Sequence, residues 1–426
     1  MSANQKINVS SEIGTLKRVM VHRPDAGISR ISPKDAEELL FDDIVHLPSM
    51  QKEHEIFTSV LEAFLGKKNV LEVQDLLFEA LRDSDASKSE MIDLIVDYEE
   101  LPASYKSLLH KLSDRQLADV LVTGYLEKKD HILFDPIPNF IFTRDIAVTI
   151  NDHVIITKAT KAARFRENFI TRFICWAHPL FSQMRKNGKV INLNHVDEFP
   201  PSKKGETVAI EGGDVMIINK DYLLIGCSER TNAHAIHSIK KALFDKNVVK
   251  NIVQINIPAD RSYMHIDTIF TQIDKDDIVA FKPIIMDGLG SNVIVHHIDG
   301  TESVYLSVQE FFLAEINPNM RFIPVGNGES PFQDREQWTD GCNMVAIKPG
   351  VALTYDRNPK TEIALQEAGY TIIHAYDFLK KVADKTLDPN AVTKTIISLP
   401  SGELSRGRGG SHCMTCPIER EEIPGE

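Results

Sequence analysis

Four short stretches of this chain carry residue types that chemistry needs. Near the C-terminus, Gly407-Arg408-Gly409-Gly410-Ser411-His412-Cys413 crowds three glycines ahead of a cysteine. Glycine permits positive φ and lets a ligand approach the backbone. A cysteine in such a loop is a candidate nucleophile, because sulfur is intrinsically reactive and partly ionised near neutral pH. Far upstream stand Phe142-Thr143-Arg144-Asp145, Glu211-Gly212-Gly213-Asp214 and His265-Ile266-Asp267-Thr268, each rich in acids or histidine. Other chemistries compete for the tail. Cys413 and Cys416 form a C-x-x-C pair, a spacing used for zinc or redox work. Zinc needs two more ligands at matching spacing, and there is no second C-x-x-C. The Arg406-Gly407-Arg408-Gly409-Gly410 run has the form of an RNA-binding segment, but it occurs once in an acidic chain.

The setting narrows the choice. The chain has 426 residues, 42% hydrophobic and 26% charged, with a formal net charge of -13. That is ordinary globular composition, long enough for one large domain or two smaller ones. The acidic balance argues against a nucleic-acid partner and suits a cationic small substrate. Met1 to Glu12 is polar and has no apolar core of a secretory signal. No apolar run reaches membrane-spanning length, so no membrane partner is expected. Five cysteines are too few and too odd for a disulfide framework, which points to a reducing cytoplasm.

The elements that must position these residues follow a repeat. Residues 16–22 have strand composition, 51–65 read as an amphipathic helix, and 70–73 as a short strand. Over 75–130, leucines recur at helical spacing between Ser, Asp and Pro breaks, which predicts about four short helices. Beyond Pro136, paired apolar runs around short polar turns predict hairpins over 139–158, 207–227, 263–281 and 343–356. Each is followed by a helix and one more strand. A strand–strand–helix–strand unit therefore recurs about four times, and the opening segment can make a fifth. The strand at 394–399 is expected to complete that first unit and close a ring, carrying the cysteine loop to its centre.

Matched positions in a ring face a common axis. That arrangement gathers Asp145, Glu211, His265, Asp267 and Cys413 into one pocket. His265 and Asp267, two apart on an expected strand, face the same way. Gly212-Gly213 clears space beside Glu211. Carboxylates, a histidine and a cysteine suit a planar delocalised cation, since a guanidinium offers five N–H donors in a rigid fork. Its carbon is a poor electrophile, so it needs a strong nucleophile, and ammonia leaves if protonated by an acid such as His265. A metal triad of His265, Asp267 and Glu211 is the competing reading, and it leaves the cysteine loop without a role. The surrounding carboxylates should hold the resting thiol neutral. A guanidinium about 4 Å from the sulfur would then contribute on the order of 4 kcal/mol, about three pKa units, toward ionising it.

These residues closely resemble the arginine deiminase family of the guanidino-group-modifying, or pentein, superfamily. The resemblance covers nearly the whole chain and includes Ser11-Glu12-Ile13-Gly14, Leu40-Phe41-Asp42-Asp43-Ile44, Phe142-Thr143-Arg144-Asp145, Glu211-Gly212-Gly213-Asp214, His265-x-Asp267 and Gly407-Arg408-Gly409-Gly410-x-His412-Cys413-Met414. It implies an α/β fold, a five-bladed pentein β/α propeller of ββαβ units with a small all-helical insert. The expected divisions are an opening propeller part at 1–74, the insert at 75–130, and the remaining units at 131–426. The implied reaction converts L-arginine to L-citrulline and ammonia with no cofactor and no metal. Cys413 is the implied nucleophile and His265 the acid and base, with Glu211 beside His265 and the guanidinium. Asp145 and Asp267 are implied to hold the guanidinium nitrogens. Arg164, Arg230 and Arg408 match arginines that bind the substrate carboxylate. Asn139 and Phe142 line the implied pocket, and Asp214 counts among the substrate-binding set. Arg144 reads as structural. A homo-oligomer is compatible with this reading. Hydrolysis of agmatine or citrulline, and a pentein-fold binding protein without chemistry, are the alternatives. The latter would lack the Cys, His and Glu set.

Overall fold

The computed structural model describes residues 6–423 except 42, 128, 129 and 259, and omits the side chain of 261. Asp42 of the Leu40–Ile44 motif therefore lies outside the described residues. Several strands, such as Ala147–Ile150, His153–Ile156 and Thr395–Leu399, are buried at every position rather than at alternate ones. This is the signature of strands covered on both faces. The first strand, β1 (Leu16–Val21), runs parallel to β2 (Val70–Glu72), with α1 (Leu47–Leu65) between them. After β2 come four helices, α2 (Val73–Arg82), α3 (Asp85–Tyr98), α4 (Ser104–His110) and α5 (Asp114–Thr123). Their ends follow from local chemistry. Ser84 caps α3, Ser113 and Gln116 form a capping box on α5, and Gly124 ends α5 at φ 69°. A small hairpin, β3 (Tyr125–Leu126) with β4 (His131–Ile132), follows. The helical stretch shares one apolar core with residues such as Ile170 and Phe181 beyond it.

The second, third and fourth units repeat one topology. In the second, β5 (Ala147–Ile150) pairs antiparallel with β6 (His153–Ile156). Helices α6 (Phe165–Ala177) and α7 (Ser182–Lys186) then lead to β7 (Val190–Asn192), parallel to β6. The third repeats this with β8 (Val215–Ile217), β9 (Tyr222–Cys227), α8 (Ala233–Asp245) and β10 (Asn251–Asn256). The fourth has β11 (Phe270–Gln272) and β12 (Asp277–Ala280). It then makes the excursion α9 (Lys282–Ile285), β13 (Asn292–His297) and β14 (Glu302–Tyr305). It returns through α10 (Val308–Phe311) to β15 (Arg321–Pro324), parallel to β12. The sequence reading passed over β13 and β14, which extend the third unit's sheet to five strands. In the fifth, α11 (Phe332–Trp338) precedes β16 (Val345–Lys348) and β17 (Val351–Tyr355). Then come α12 (Pro359–Glu367), β18 (Thr371–His374), α13 (Ala375–Ala383) and β19 (Thr395–Leu399).

Two expectations are corrected here. The strand at 394–399 does not complete the first unit. It is β19, inserted between β17 and β18 and parallel to both. All five of its residues are buried, which suits a central strand. The first unit is completed by β20 (Cys416–Arg420), antiparallel to β1. Its Pro417 and charged Glu419 and Arg420 hid it in the sequence; a sheet edge tolerates that proline. The second correction concerns His265 and Asp267, which do not share a strand. A 3-10 turn, Ile266–Thr268, stands before β11, matching Thr143–Asp145 before β5 and Gly212–Asp214 before β8.

Ile418 in the closing strand is 1% exposed and Val304 on β14 is 66% exposed. Chemical denaturation should show Ile418→Ala losing about 2–5 kcal/mol through its cavity, and Val304→Ala staying within about 0.5 kcal/mol. Equal effects would contradict this placement of the closing strand.

Candidate active site

The three 3-10 turns put chemically active residues at matched positions. Phe142, Glu211 and His265 each stand immediately ahead of a turn, and Asp145 and Asp214 end theirs. The turns approach closely because two glycines allow it. A Cβ on Gly212 would fall 1.9 Å from the Arg144 carbonyl oxygen, and one on Gly213 would fall 2.5 Å from His265 Nδ1. The space expected beside Glu211 is thus filled by backbone and the histidine ring. The tail glycines act the same way. Gly409 lies against Phe142, and Gly410 lies against Asn343. The left-handed residue of that loop is not a glycine but Arg408, at φ 61°.

Cys413 is 4% exposed and held from two sides. Its N–H donates to Asn343 Oδ1 at 3.1 Å, and Asn343 Nδ2 approaches Sγ at 3.1 Å. The thiol donates to Asp267 Oδ2 at 3.4 Å. Burial, with Asp267, Asp145 and Asp340 nearby, pushes the thiol well above its ordinary range. The resting sulfur is therefore neutral. Asp267 Oδ2 is also 2.9 Å from His412 Nδ1, while its Oδ1 meets no protein donor. Burial acts to raise this carboxyl, but the hydrogen bond to His412 and the charges of His265 and Arg144 hold it below its ordinary value.

His265 Nε2 lies 3.0 Å from Glu211 Oε2, and its Nδ1 lies 3.9 Å from Asp145 Oδ1. Burial opposes its charge, yet Asp145, Glu211 and Asp214 together raise it to about 10. Glu211 moves the other way. Burial favours its neutral form, but Arg164, His265 and Arg230 hold it strongly ionised. Arg164 departs from expectation. Its Nη1 sits 2.8 Å from both Asp145 Oδ2 and Glu211 Oε2, and its far edge binds Glu167. It rests on the acids assigned to a substrate's guanidinium, and not at a carboxylate site.

The pocket between these groups is small, about 40 Å³, and Asn139, Phe142, Arg230 and Arg408 line it with Cys413 and His265. Arg230 Nη1 stands 3.8 Å from Glu211 Oε1. Arg408 stacks on Trp338, its guanidinium carbon 3.3 Å from the ring centre. Asp214 is corrected. It does not line the pocket, but accepts from the Ile266 N–H at 3.0 Å and Ser228 Oγ at 2.5 Å, holding the turn of His265 from behind. Burial pushes its carboxyl up to about 7. Asp267 likewise lies behind the pocket wall, against the sulfur. Arg144 is buried on Glu12, away from the pocket. Cys416 points elsewhere, its thiol donating to the Ala147 carbonyl at 3.1 Å.

Sequence reading missed Asn343, His412 and Glu12 as parts of this site. Asn343 sits in Asp340-Gly341-Cys342-Asn343 just before β16, the fifth unit's equivalent of the three acidic turns. The repeat itself was the signal. Asp145, Glu211 and His265 also present ligand atoms within 4.8 Å of one another, a set able to hold a cation, and Arg164 supplies one.

The description arginine deiminase belongs to a family model that matches residues 37–131 and 113–420. The arginine deiminase of Listeria monocytogenes serotype 4b (strain F2365) is 32% identical over 449 aligned residues, spanning 99% of this chain and 100% of that one. The chain belongs to the arginine deiminase family. Another arginine deiminase, from Limosilactobacillus reuteri, is 33% identical over 444 residues, with 98% of each chain covered. The fold also matches more distant structures. The amidinotransferase SxtG from Microseira wollei has a TM-score of 0.54 at 12% identity, covering 99% of both chains. The N-terminal domain of ArgZ, bound covalently to a reaction intermediate, has a TM-score of 0.51 at 13% identity, covering 96% of this chain and 99% of that one. Among the described residues of this arginine deiminase family member, no helix is long and apolar enough to cross a membrane.

The raised thiol has a direct readout. Iodoacetamide should alkylate Cys413 slowly at pH 7, and the rate should keep climbing past pH 8.5, the region of an ordinary cysteine at about 8.5. A plateau below pH 7 would mean a resting thiolate.

Proposed function

We infer that the protein hydrolyses L-arginine to L-citrulline and ammonia through a covalent thiouronium on Cys413. We further read the five units as blades of a pentein propeller, begun by 1–74 and continued by 131–426, with 75–130 as a helical insert. One observation carries the chemistry. A guanidinium from the chain itself, on Arg164, already lies across Asp145 and Glu211 in the pocket that Cys413 lines.

A pocket of about 40 Å³ has room for water and not for an amino acid. Arginine therefore takes its place by moving Arg164 off the two acids. Asp145 and Glu211 then receive the substrate's N–H groups, Glu211 through Oε1 as well, which has no protein donor, and Asp267 comes within reach of the guanidinium only as the wall in front of it gives way. The positive charge lowers the thiol's proton affinity, and its proton passes along the existing contact to Asp267 Oδ2. The thiolate adds to the guanidinium carbon. His265, protonated in the resting state, gives its proton to the departing nitrogen, and the C–N bond breaks. Neutral His265 then takes a proton from water as the oxygen adds to the thiouronium carbon. The C–S bond breaks, the sulfur recovers its proton from Asp267, and the hydroxyl proton leaves with ammonia as ammonium. Overall one water is consumed and the enzyme returns to its starting state.

Arg230 and Arg408 border the pocket and supply charge for the substrate carboxylate. Arg164, once displaced, is a third cation near that end. This preference separates arginine from agmatine, which has no carboxylate.

Incubating the purified protein with arginine, agmatine and citrulline separately, and measuring ammonia and product, tests the reading. Arginine should be turned over best, and equal turnover of agmatine would refute the assignment. Cys413→Ser should abolish turnover with the fold retained, whereas Cys416→Ser should keep most of it. Arg230→Ala and Arg408→Ala should each shrink the arginine-to-agmatine selectivity about tenfold or more, the loss of one charge-assisted contact of about 1.5–3 kcal/mol. An unchanged ratio in both would remove them from the site.

A further inference from the structure

A second concave region of about 1170 Å³ shares no residue with the pocket at Cys413. It lies where β1, the β16–β17 turn and the closing strand β20 meet. Its charge is opposite to that of the chain. Seven of its lining residues are Lys or Arg and three are Glu, a balance of +4 in a protein of net charge -13. The three acids are already used. Glu422 pairs with Lys6 at 3.1 Å, Glu421 with Lys17 at 2.7 Å, and Glu419 with Arg18 at 3.4 Å. Lys68, Lys275, Lys348 and Arg420 remain, and among the described residues none has a carboxylate partner within ion-pair distance.

Arg420 makes the shortage clear. It is 2% exposed and forms part of the floor of this groove. Its Nη1 donates to the carbonyls of Gly14 at 2.7 Å and Ala346 at 2.8 Å, while Nε and Nη2 meet no protein acceptor. The carboxylate that supports its charge, Glu12, is shared with Arg144 and His412. Burial lowers Arg420 to about 10, with Glu12 only partly restoring it. A buried cation without a counter-charge is costly. Nearby Arg18 Nη1 is a second buried donor with no protein acceptor.

We propose that this groove is a binding site for a small polyanion carrying more than one phosphate. The exposed lysines Lys68 and Lys275 at its rim pair with the outer oxygens, and the field of Arg420 and Arg18 favours charge at the floor. Lys348, whose Nζ already donates to the carbonyls of Pro389 and Asn390, adds a third rim charge. The volume exceeds that of a single phosphate and is near the upper range of small-molecule pockets. Because the lining joins β1 to β20 and to the fifth unit, occupancy clamps the chain's first and last strands together and stabilises the fold.

The test uses the full-length protein and pyrophosphate. Isothermal titration and thermal unfolding are run in phosphate-free buffer, with ionic strength held constant by sodium chloride. Pyrophosphate should bind saturably and raise the unfolding midpoint. The double substitution Lys68→Glu with Lys275→Glu, both at exposed positions, should weaken binding at least tenfold while leaving the midpoint without pyrophosphate and the Cys413 alkylation rate unchanged. Absence of saturable binding overturns the proposal. So does equal affinity in the double variant, or a midpoint shift that chloride alone reproduces.

Discussion

Concentrating negative charge around a neutral sulfur, away from water, is the constraint that shapes this protein. Glu211, Asp145 and Asp267 are all at most 5% exposed. Unpaired ionised carboxylates at such depth would be prohibitively costly. Each therefore has a partner placed on it: Arg164 on Asp145 and Glu211, His265 on Glu211, and the His412 ring on Asp267. Arg164 and His265 in turn are held up in charge by the acids, which is why burial does not neutralise His265. The cysteine stands apart from this exchange. It faces acids without a cation of its own and stays protonated. A cationic substrate is then the missing member of the set.

The backbone serves that arrangement more than local stability does. Short 3-10 turns and the residues just ahead of them, not strand residues, carry the acids and the histidine, so side chains two apart can diverge. His265 reaches Glu211 while Asp267 reaches His412 and the sulfur. Glycines sit where two turns touch, because any Cβ there would overlap a histidine ring or a carbonyl. Behind the site, Asp214 ties the turn of His265 to the third unit, and Asn343 ties the cysteine loop to the fifth. Four of the units thus contribute to one small pocket and its supports, and a shift in any one would reach the sulfur.

A second line of charge runs away from the pocket. His412 bridges Asp267 and Glu12, and Glu12 also binds Arg144. Arg420 is the next cation in this line, at the closing strand. The same few carboxylates therefore serve the sulfur's surroundings and the seam where the chain's ends meet. Positive charge is in excess at the far end of that line, as it is deficient around the sulfur.

Composition and periodicity carried much of this molecule in plain view. The strand–strand–helix–strand repeat, the four-helix stretch after β2 and the recurring acidic motifs are local patterns, and local patterns are what propensity and spacing encode, although the motifs stand at 3-10 turns and not on the strands expected for them. Their shared chemistry points to a guanidinium from residue types alone. What sequence could not carry were pairings between distant segments. Whether 395–399 or 416–420 completed the first unit depended on which edge each met, and the proline and charges of β20 masked it as a strand. Arg164 was matched to a carboxylate ligand by family resemblance, and its identity by itself says only that it is cationic. Its position on Asp145 and Glu211 depends on a distance of a few ångströms between turns far apart in the chain. Asn343, His412 and Glu12 were silent for the same reason: hydrogen-bond partners across separate units exist only once the units are packed together.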